Sequence, residues 1–145
     1  MKKKINYQKA NYDKTILRLN KFLIRPTKQR RLIAETLFEK GDRHVTAEQI
    51  FNEIINKDKK VSLATVYNTL NEFVEKKIIR EISINSNVSY FDTNPNAHHH
   101  FYNSNTEDII DIPEEEIYIA KIPKPLKGQK IKSIDIVIKI DNDYE

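Results

Sequence analysis

The sequence contains no cysteine. That excludes a disulfide framework, a thiolate zinc site and cysteine redox chemistry, and it leaves only nitrogen and oxygen to hold any metal. Glycine is nearly as scarce, with two in 145 residues. A glycine-rich phosphate loop of any familiar form is therefore excluded, and nucleotide-dependent catalysis is disfavoured. No apolar run approaches the roughly 18 residues that suggest a membrane span, so no membrane role is expected. Met1-Lys2-Lys3-Lys4 is followed by Tyr7, Gln8, Asn11 and Asp13, where a signal peptide needs an uninterrupted apolar stretch. A cytoplasmic location is expected.

Charged residues make up 32% of the chain and hydrophobic ones 39%, a balance that fits a globular protein. The length suits one ordinary domain, or two small ones that share stability through an interface or a dimer. The net charge of +4 hides an asymmetry. Residues 1–92 carry 19 Lys/Arg against 11 Asp/Glu, whereas residues 93–145 carry 6 against 10. The first part is suited to meet a polyanion, because phosphate neutralisation supplies most non-specific nucleic-acid affinity.

From Asn11 to Phe22 the apolar residues Tyr12, Ile16, Leu19 and Phe22 recur at helical spacing until Pro26 interrupts them. Thr27 is placed to cap a second helix with Leu32, Ile33, Leu37 and Phe38 on one face, stopping near Gly41. Thr46 and Gln49 form a capping-box pair at the head of a third helix, whose expected buried stripe is Ile50, Phe51, Ile54 and Ile55. Ser62 heads a fourth, with Leu63, Val66, Leu70, Phe73 and Val74 inward and Thr65, Asn68, Thr69 and Glu72 on the opposite face. Ile78 to Ile84, then Asn85-Ser86-Asn87, then Val88 to Phe91 read as a β-hairpin. Three helices and a hairpin predict a winged helix over 1–92. Beyond Pro95, short strands are expected at His99 to Tyr102, Asp108 to Ile112 and the alternating Ile131 to Ile140, with a short helix at Glu114 to Ala120. The predicted class is α+β: an N-terminal winged helix-turn-helix domain, then a small α/β domain over 93–145. That second domain is too small to be comfortable alone, so a homodimer is expected.

In a helix-turn-helix arrangement the second helix enters the major groove and its N-terminal residues reach base edges. Here that is Ser62 onward. Ser62, Thr65, Tyr67 and Asn68 offer hydrogen-bonding groups and one ring suited to A/T-rich double-stranded DNA. Arg25, just before Pro26-Thr27, sits where a basic group reaches the backbone or an adjacent minor groove, and Lys28, Arg30 and Arg31 add phosphate-seeking charge.

Three of the four histidines are consecutive, His98-His99-His100. On a strand, His98 and His100 share a face and His99 points away. Asp92 and Asp111 flank the run, and His44 offers a further nitrogen if the chain folds back. Such a set suits iron, manganese or zinc and not calcium. An axial histidine from His98, His99 or His100 would also suit haem iron.

His44-Val45-Thr46-Ala47-Glu48, Ser62-Leu63-Ala64-Thr65-Val66-Tyr67-Asn68-Thr69-Leu70 and the histidine run together resemble the ferric uptake regulator family over roughly residues 20–112. The lack of cysteine, the triple histidine with Phe101-Tyr102-Asn103, and Asp108 to Pro113 look most like its iron response regulator branch. The resemblance implies a dimeric regulator with a metal site between the domains, mapping onto His44, Asp92, His98, His100 and Asp111. It places Tyr67 where the family has a base-contacting tyrosine and Arg25 where it has a minor-groove basic residue. Asn68 departs from the arginine of many members. The structural zinc that paired Cys-X-X-Cys motifs hold in many relatives has no ligands here. The implied function is an iron- or haem-responsive transcriptional regulator of iron and haem metabolism genes. The alternatives are a metal-sensing repressor of the ferric uptake or peroxide-sensing type and, remotely, a small His/Asp metalloenzyme. The expectation is a non-enzyme, because no general base or nucleophile stands out beyond the ligands themselves.

Overall fold

A computed structural model describes residues 7–143 apart from 86, with side chains from residue 13 onward. Met1-Lys2-Lys3-Lys4, Ser86 of the hairpin turn and the Tyr12 side chain lie outside the described residues. The chain divides into two compact units, Met1–Pro95 and Asn96–Glu145.

The first unit runs α1 (Tyr7–Lys21), α2 (Lys28–Phe38), β1 (His44–Val45), α3 (Ala47–Asn56), α4 (Leu63–Glu75), β2 (Arg80–Ser83) and β3 (Ser89–Asp92). The three expected caps form. Thr27 Oγ1 accepts from the Arg30 N–H at 3.2 Å, and Ser62 Oγ accepts from the Thr65 N–H at 3.1 Å. The Thr46 hydroxyl accepts from the Gln49 N–H at 3.2 Å while the Gln49 side chain accepts from the Thr46 N–H at 2.8 Å. Each bond satisfies an amide that the first turn of a helix leaves without a partner.

Glycine scarcity shows at the other ends of the helices. The chain leaves α1, α3 and α4 through Leu23, Asp58 and Lys77, at φ of 59, 57 and 64°. In each case the next amide reaches back to a carbonyl five residues earlier: Ile24 to Leu19, Lys59 to Ile54 and Ile78 to Phe73. This left-handed stop is normally given to glycine, because a Cβ there meets the following carbonyl.

The core of this unit gathers Leu19, Ile33, Leu37, Val45, Ile50, Ile54, Val66, Leu70, Phe73, Ile79 and Phe91. Two expectations are corrected. Ile55 is 42% exposed rather than part of the α3 stripe, and Thr69, expected on the polar face of α4, is buried at 7%. The three-stranded sheet has order β1-β3-β2, all antiparallel. β1 has no sequence signature, because two residues carry no alternation. Its register matters nonetheless, because it sets His44 opposite Asp92.

The second unit is a three-stranded sheet of order β5-β4-β6, formed by β4 (His98–Asn103), β5 (Ile109–Pro113) and β6 (Val137–Ile140). β4 runs antiparallel to β5 and parallel to β6. The expected helix at Glu114 to Ala120 is a single 3-10 turn, Glu114–Glu116, and the expected strand from Ile131 begins only at Val137. Alternation makes a strand only where a neighbour offers its ladder, and β4 pairs with this segment only over His100 to Asn103. Together the units are α+β, a winged helix followed by a small α/β unit. No helix among the described residues is long and apolar enough to cross a membrane.

Candidate metal centre and nucleic-acid interface

β1 and β3 bring His44 Nε2 to 3.2 Å from Asp92 Oδ2. The Asp92 side chain is 1% exposed, and its other oxygen accepts the Asn94 N–H at 2.9 Å. A carboxylate this deeply buried needs partners of opposite polarity. The neighbouring residues lock the strand pair from the side. The Arg43 N–H donates to Thr93 Oγ1 at 2.8 Å, and the Thr93 N–H donates to the Arg43 carbonyl at 3.1 Å. The Arg43 guanidinium then forks onto both oxygens of Glu53 in α3, at 3.1 and 2.9 Å.

In the second unit, alternation along β4 puts His98 and His100 on one face, and the β4–β5 register sets His100 opposite Asp111. Asp111 Oδ1 lies 3.2 Å from His98 Nε2 and 3.3 Å from His100 Nε2, and the two ring centroids are 4.5 Å apart. His98 Nδ1 lies 2.6 Å from the Asn96 carbonyl oxygen. A carbonyl can only accept, so Nδ1 carries the proton, and in the neutral ring Nε2 has the lone pair that a metal would take. His99 is wired the opposite way. Its Nδ1 accepts the Ile136 N–H at 3.1 Å, so in the neutral ring the proton sits on Nε2. His98, His100 and Asp111 each offer a ligand atom, all within 4.8 Å of one another. Two imidazole nitrogens and a carboxylate oxygen fit a divalent transition ion.

The expected DNA-contact residues fare unequally. Arg25 and Asn68 are exposed. The Ser62 hydroxyl is engaged twice, accepting the Thr65 N–H and donating to Thr65 Oγ1 at 2.8 Å, so its primary work is capping α4. The Tyr67 hydroxyl donates to Glu48 Oε1 of α3 at 2.7 Å, and this bond to a carboxylate holds the phenol above its ordinary pKa. Arg30, expected to seek phosphate, instead grips Glu72 of α4. The partnerships of Tyr67 with Glu48, Arg30 with Glu72 and Arg43 with Glu53 have no spacing signal, since each joins residues on different elements.

The ferric uptake regulator family model matches residues 22–140. The chain belongs to the ferric uptake regulator family. It is 30% identical over 112 residues to a ferric uptake regulation protein of Brucella abortus, 77% of each chain. It is 31% identical over 99 residues to the peroxide-responsive repressor PerR of Staphylococcus epidermidis, covering 68% of this chain and 65% of that one. The chain thus spans just under two thirds of the length of that repressor, and 66% of the ferric uptake regulation protein of Rhizobium leguminosarum. Its fold is that of the ferric uptake regulator from Pseudomonas aeruginosa with manganese, with a TM-score of 0.65 at 20% identity over 86% of this chain and 94% of the other. The Vibrio cholerae regulator gives 0.66 at 19% over 88% and 98%.

Proposed function

We propose that this chain is a metal-responsive, DNA-binding transcriptional regulator rather than an enzyme, acting as a homodimer on A/T-rich duplex DNA. The observation that carries the reading is the convergence of two imidazole Nε2 atoms on one Asp111 oxygen, with the His98 tautomer already set for coordination by the Asn96 carbonyl. The His44–Asp92 pair supplies a second nitrogen–oxygen donor set. On the strength of the sequence resemblance, the five residues are taken as one ligand set. Asp92 and His98 stand six residues apart in the sequence, a stretch that reaches no more than about 22 Å when extended. An ion that draws ligands from both units binds one arrangement of them better than another, and this differential affinity is what shifts a conformational equilibrium.

DNA contact is assigned to the N-terminal end of α4, through Ser62, Thr65, Tyr67 and Asn68, with Arg25 beside it. The net +8 over residues 1–92 supports this assignment. A control of iron or haem metabolism genes, as in the iron response branch, is the finer form of the proposal. Within it, an ion or haem can be held through His98 and His100, whereas His99 can ligate only if its ring gives up the bond from the Ile136 amide, because in the neutral ring its Nε2 carries the proton. The test is titration of the purified protein with Mn2+, Fe2+, Zn2+ and haem, paired with duplex binding at each endpoint. Saturable binding of an ion that changes DNA affinity, abolished in H98A/H100A, is expected. An unchanged ligand response in that variant would sink the reading, and a Soret shift lost in H99A would replace the ion with haem.

A further inference from the structure

Arg30 lies in the first turn of α2, and its side chain joins two segments that the DNA-binding reading uses separately. Nε donates to Glu72 Oε2 at 3.1 Å and one terminal nitrogen donates to Oε1 at 3.0 Å, a two-pronged grip on α4. The other terminal nitrogen donates to the main-chain carbonyl of Arg25 at 3.0 Å. One guanidinium thus ties the turn before α2 to a helix 42 residues further along the chain. Both partners of the ion pair are nearly a third exposed, at 28 and 30%, so the pair adds little to stability by itself. What a planar fork adds is direction, which a lysine ammonium does not reproduce.

We propose that Arg30 is a positioning residue that holds Arg25 at a fixed place relative to α4, so that the two meet one DNA duplex together. This rests on the DNA-binding reading above. Pro26 already restrains Arg25 toward an extended backbone. The bond to its carbonyl then fixes where the Arg25 side chain begins, and the Glu72 fork refers that origin to the reading helix. Without the fork, Arg25 keeps its charge and loses its address. The cost falls on the contact that needs both elements at once, not on general attraction to phosphate.

The experiment uses the full chain with Mn2+ present and two probes: an A/T-rich duplex enriched by the wild-type protein from a randomised pool, and a scrambled duplex of the same composition. Affinity is measured across a salt series, and thermal melts show that each variant is folded. R25A removes one cationic contact, so its salt slope on the enriched duplex should fall by about 1. R30K keeps its charge. It should nonetheless lose the same increment of slope and bind the enriched duplex about tenfold more weakly, the factor that 1.4 kcal/mol brings, with little change on the scrambled one. R30K/R25A should bind no more weakly than R25A, because the second change removes what the first has already misplaced. An unchanged slope in R30K, or losses that multiply in the double variant, would overturn the proposal while leaving DNA binding intact. If R30K does not fold, E72Q loosens the same fork from the α4 side; because it also removes a negative charge, it is read as the ratio of enriched to scrambled affinity, which should fall about tenfold, and an unchanged ratio would overturn the proposal. A wild-type protein without salt-dependent duplex binding overturns the DNA-binding reading, and the role of Arg30 with it.

Discussion

Lys76 and Lys77 are identical, adjacent and exposed, yet replacing each with glycine should change stability in opposite directions. Lys76 caps α4 at φ −80° and ψ 0°, an ordinary right-handed conformation. Lys77 sits at φ 64°, where its amide bonds the Val74 carbonyl and the Ile78 amide reaches back to Phe73, both at 3.0 Å. A left-handed L-residue costs about 1–2 kcal/mol. Glycine removes that strain, while its extra freedom in the unfolded chain takes back about 0.4–1 kcal/mol. K77G should therefore gain about 0.5–1 kcal/mol. K76G relieves nothing and should lose up to about 1 kcal/mol. The two variants should separate by about 1.5 kcal/mol, or roughly 5–10 °C in Tm for a unit of this size. Urea unfolding with equal m-values reads the difference as a shift in midpoint. Destabilisation of similar size in both variants would refute the assignment of Lys77 as the stop for α4.

The Glu53 carboxyl is pushed up by burial, but hydrogen bonds and charge from Arg43 and Lys40 outweigh this and leave it below its ordinary 4.5. A depressed folded-state value means the contribution is complete above that ordinary value and lost as pH falls through the depressed one. R43A should cost about 1 kcal/mol at neutral pH and progressively less in acid, and a cost that does not vary with pH would exclude the ion pair as its source. T46A removes one arm of the α3 capping box and should cost about 1 kcal/mol in the same melts, with T46S recovering most of it. D111N replaces the carboxylate shared by His98 and His100 with a neutral amide, a much weaker metal ligand, so Mn2+ affinity should fall at least tenfold (~1.4 kcal/mol) with thermal stability nearly kept; unchanged affinity would remove the Asp111 carboxylate from the ligand set. E48Q should bring the Tyr67 titration, followed by NMR of labelled tyrosine, down toward the ordinary phenol value of 10, and no movement would mean that Glu48 is not what raises it.

What the sequence made legible is what local rules control. Thr27, Thr46 and Ser62 were readable as caps because a short hydroxyl before an amphipathic run satisfies amides two or three residues on, whatever the rest of the chain does. The αL stops at Leu23, Asp58 and Lys77 were not readable. Stop signals are written in glycine, and this chain spends its two glycines elsewhere, at Gly41 and Gly128. Ile55 and Thr69 fell on the wrong side because periodicity gives a face only to within one residue, and the packing of α3 on α4 decides the edge. The stretch from Ile131 to Ile136 shows the same limit. Its isoleucines alternate well enough to resemble a strand, but only Val137 onward finds a ladder on β4.

The histidine run shows how far residue pattern can go before neighbours take over. Alternation along a strand predicts that His98 and His100 share a face and that His99 does not, and the β4 pleat produces that division. Pattern is silent on which ring nitrogen holds the proton. That is decided by groups with no sequence signature, the Asn96 carbonyl beside His98 and the Ile136 amide beside His99. A carbonyl forces its histidine to donate through Nδ1 and frees Nε2 to bind a metal. An amide forces the adjacent, chemically identical histidine to accept there, which puts the proton on Nε2. Replacing Ile136 with proline would delete that amide and release His99 from its tautomer, whereas any ordinary side chain at 136 would keep it. The difference between His98 and His99 as ligands is therefore written in the backbone around them.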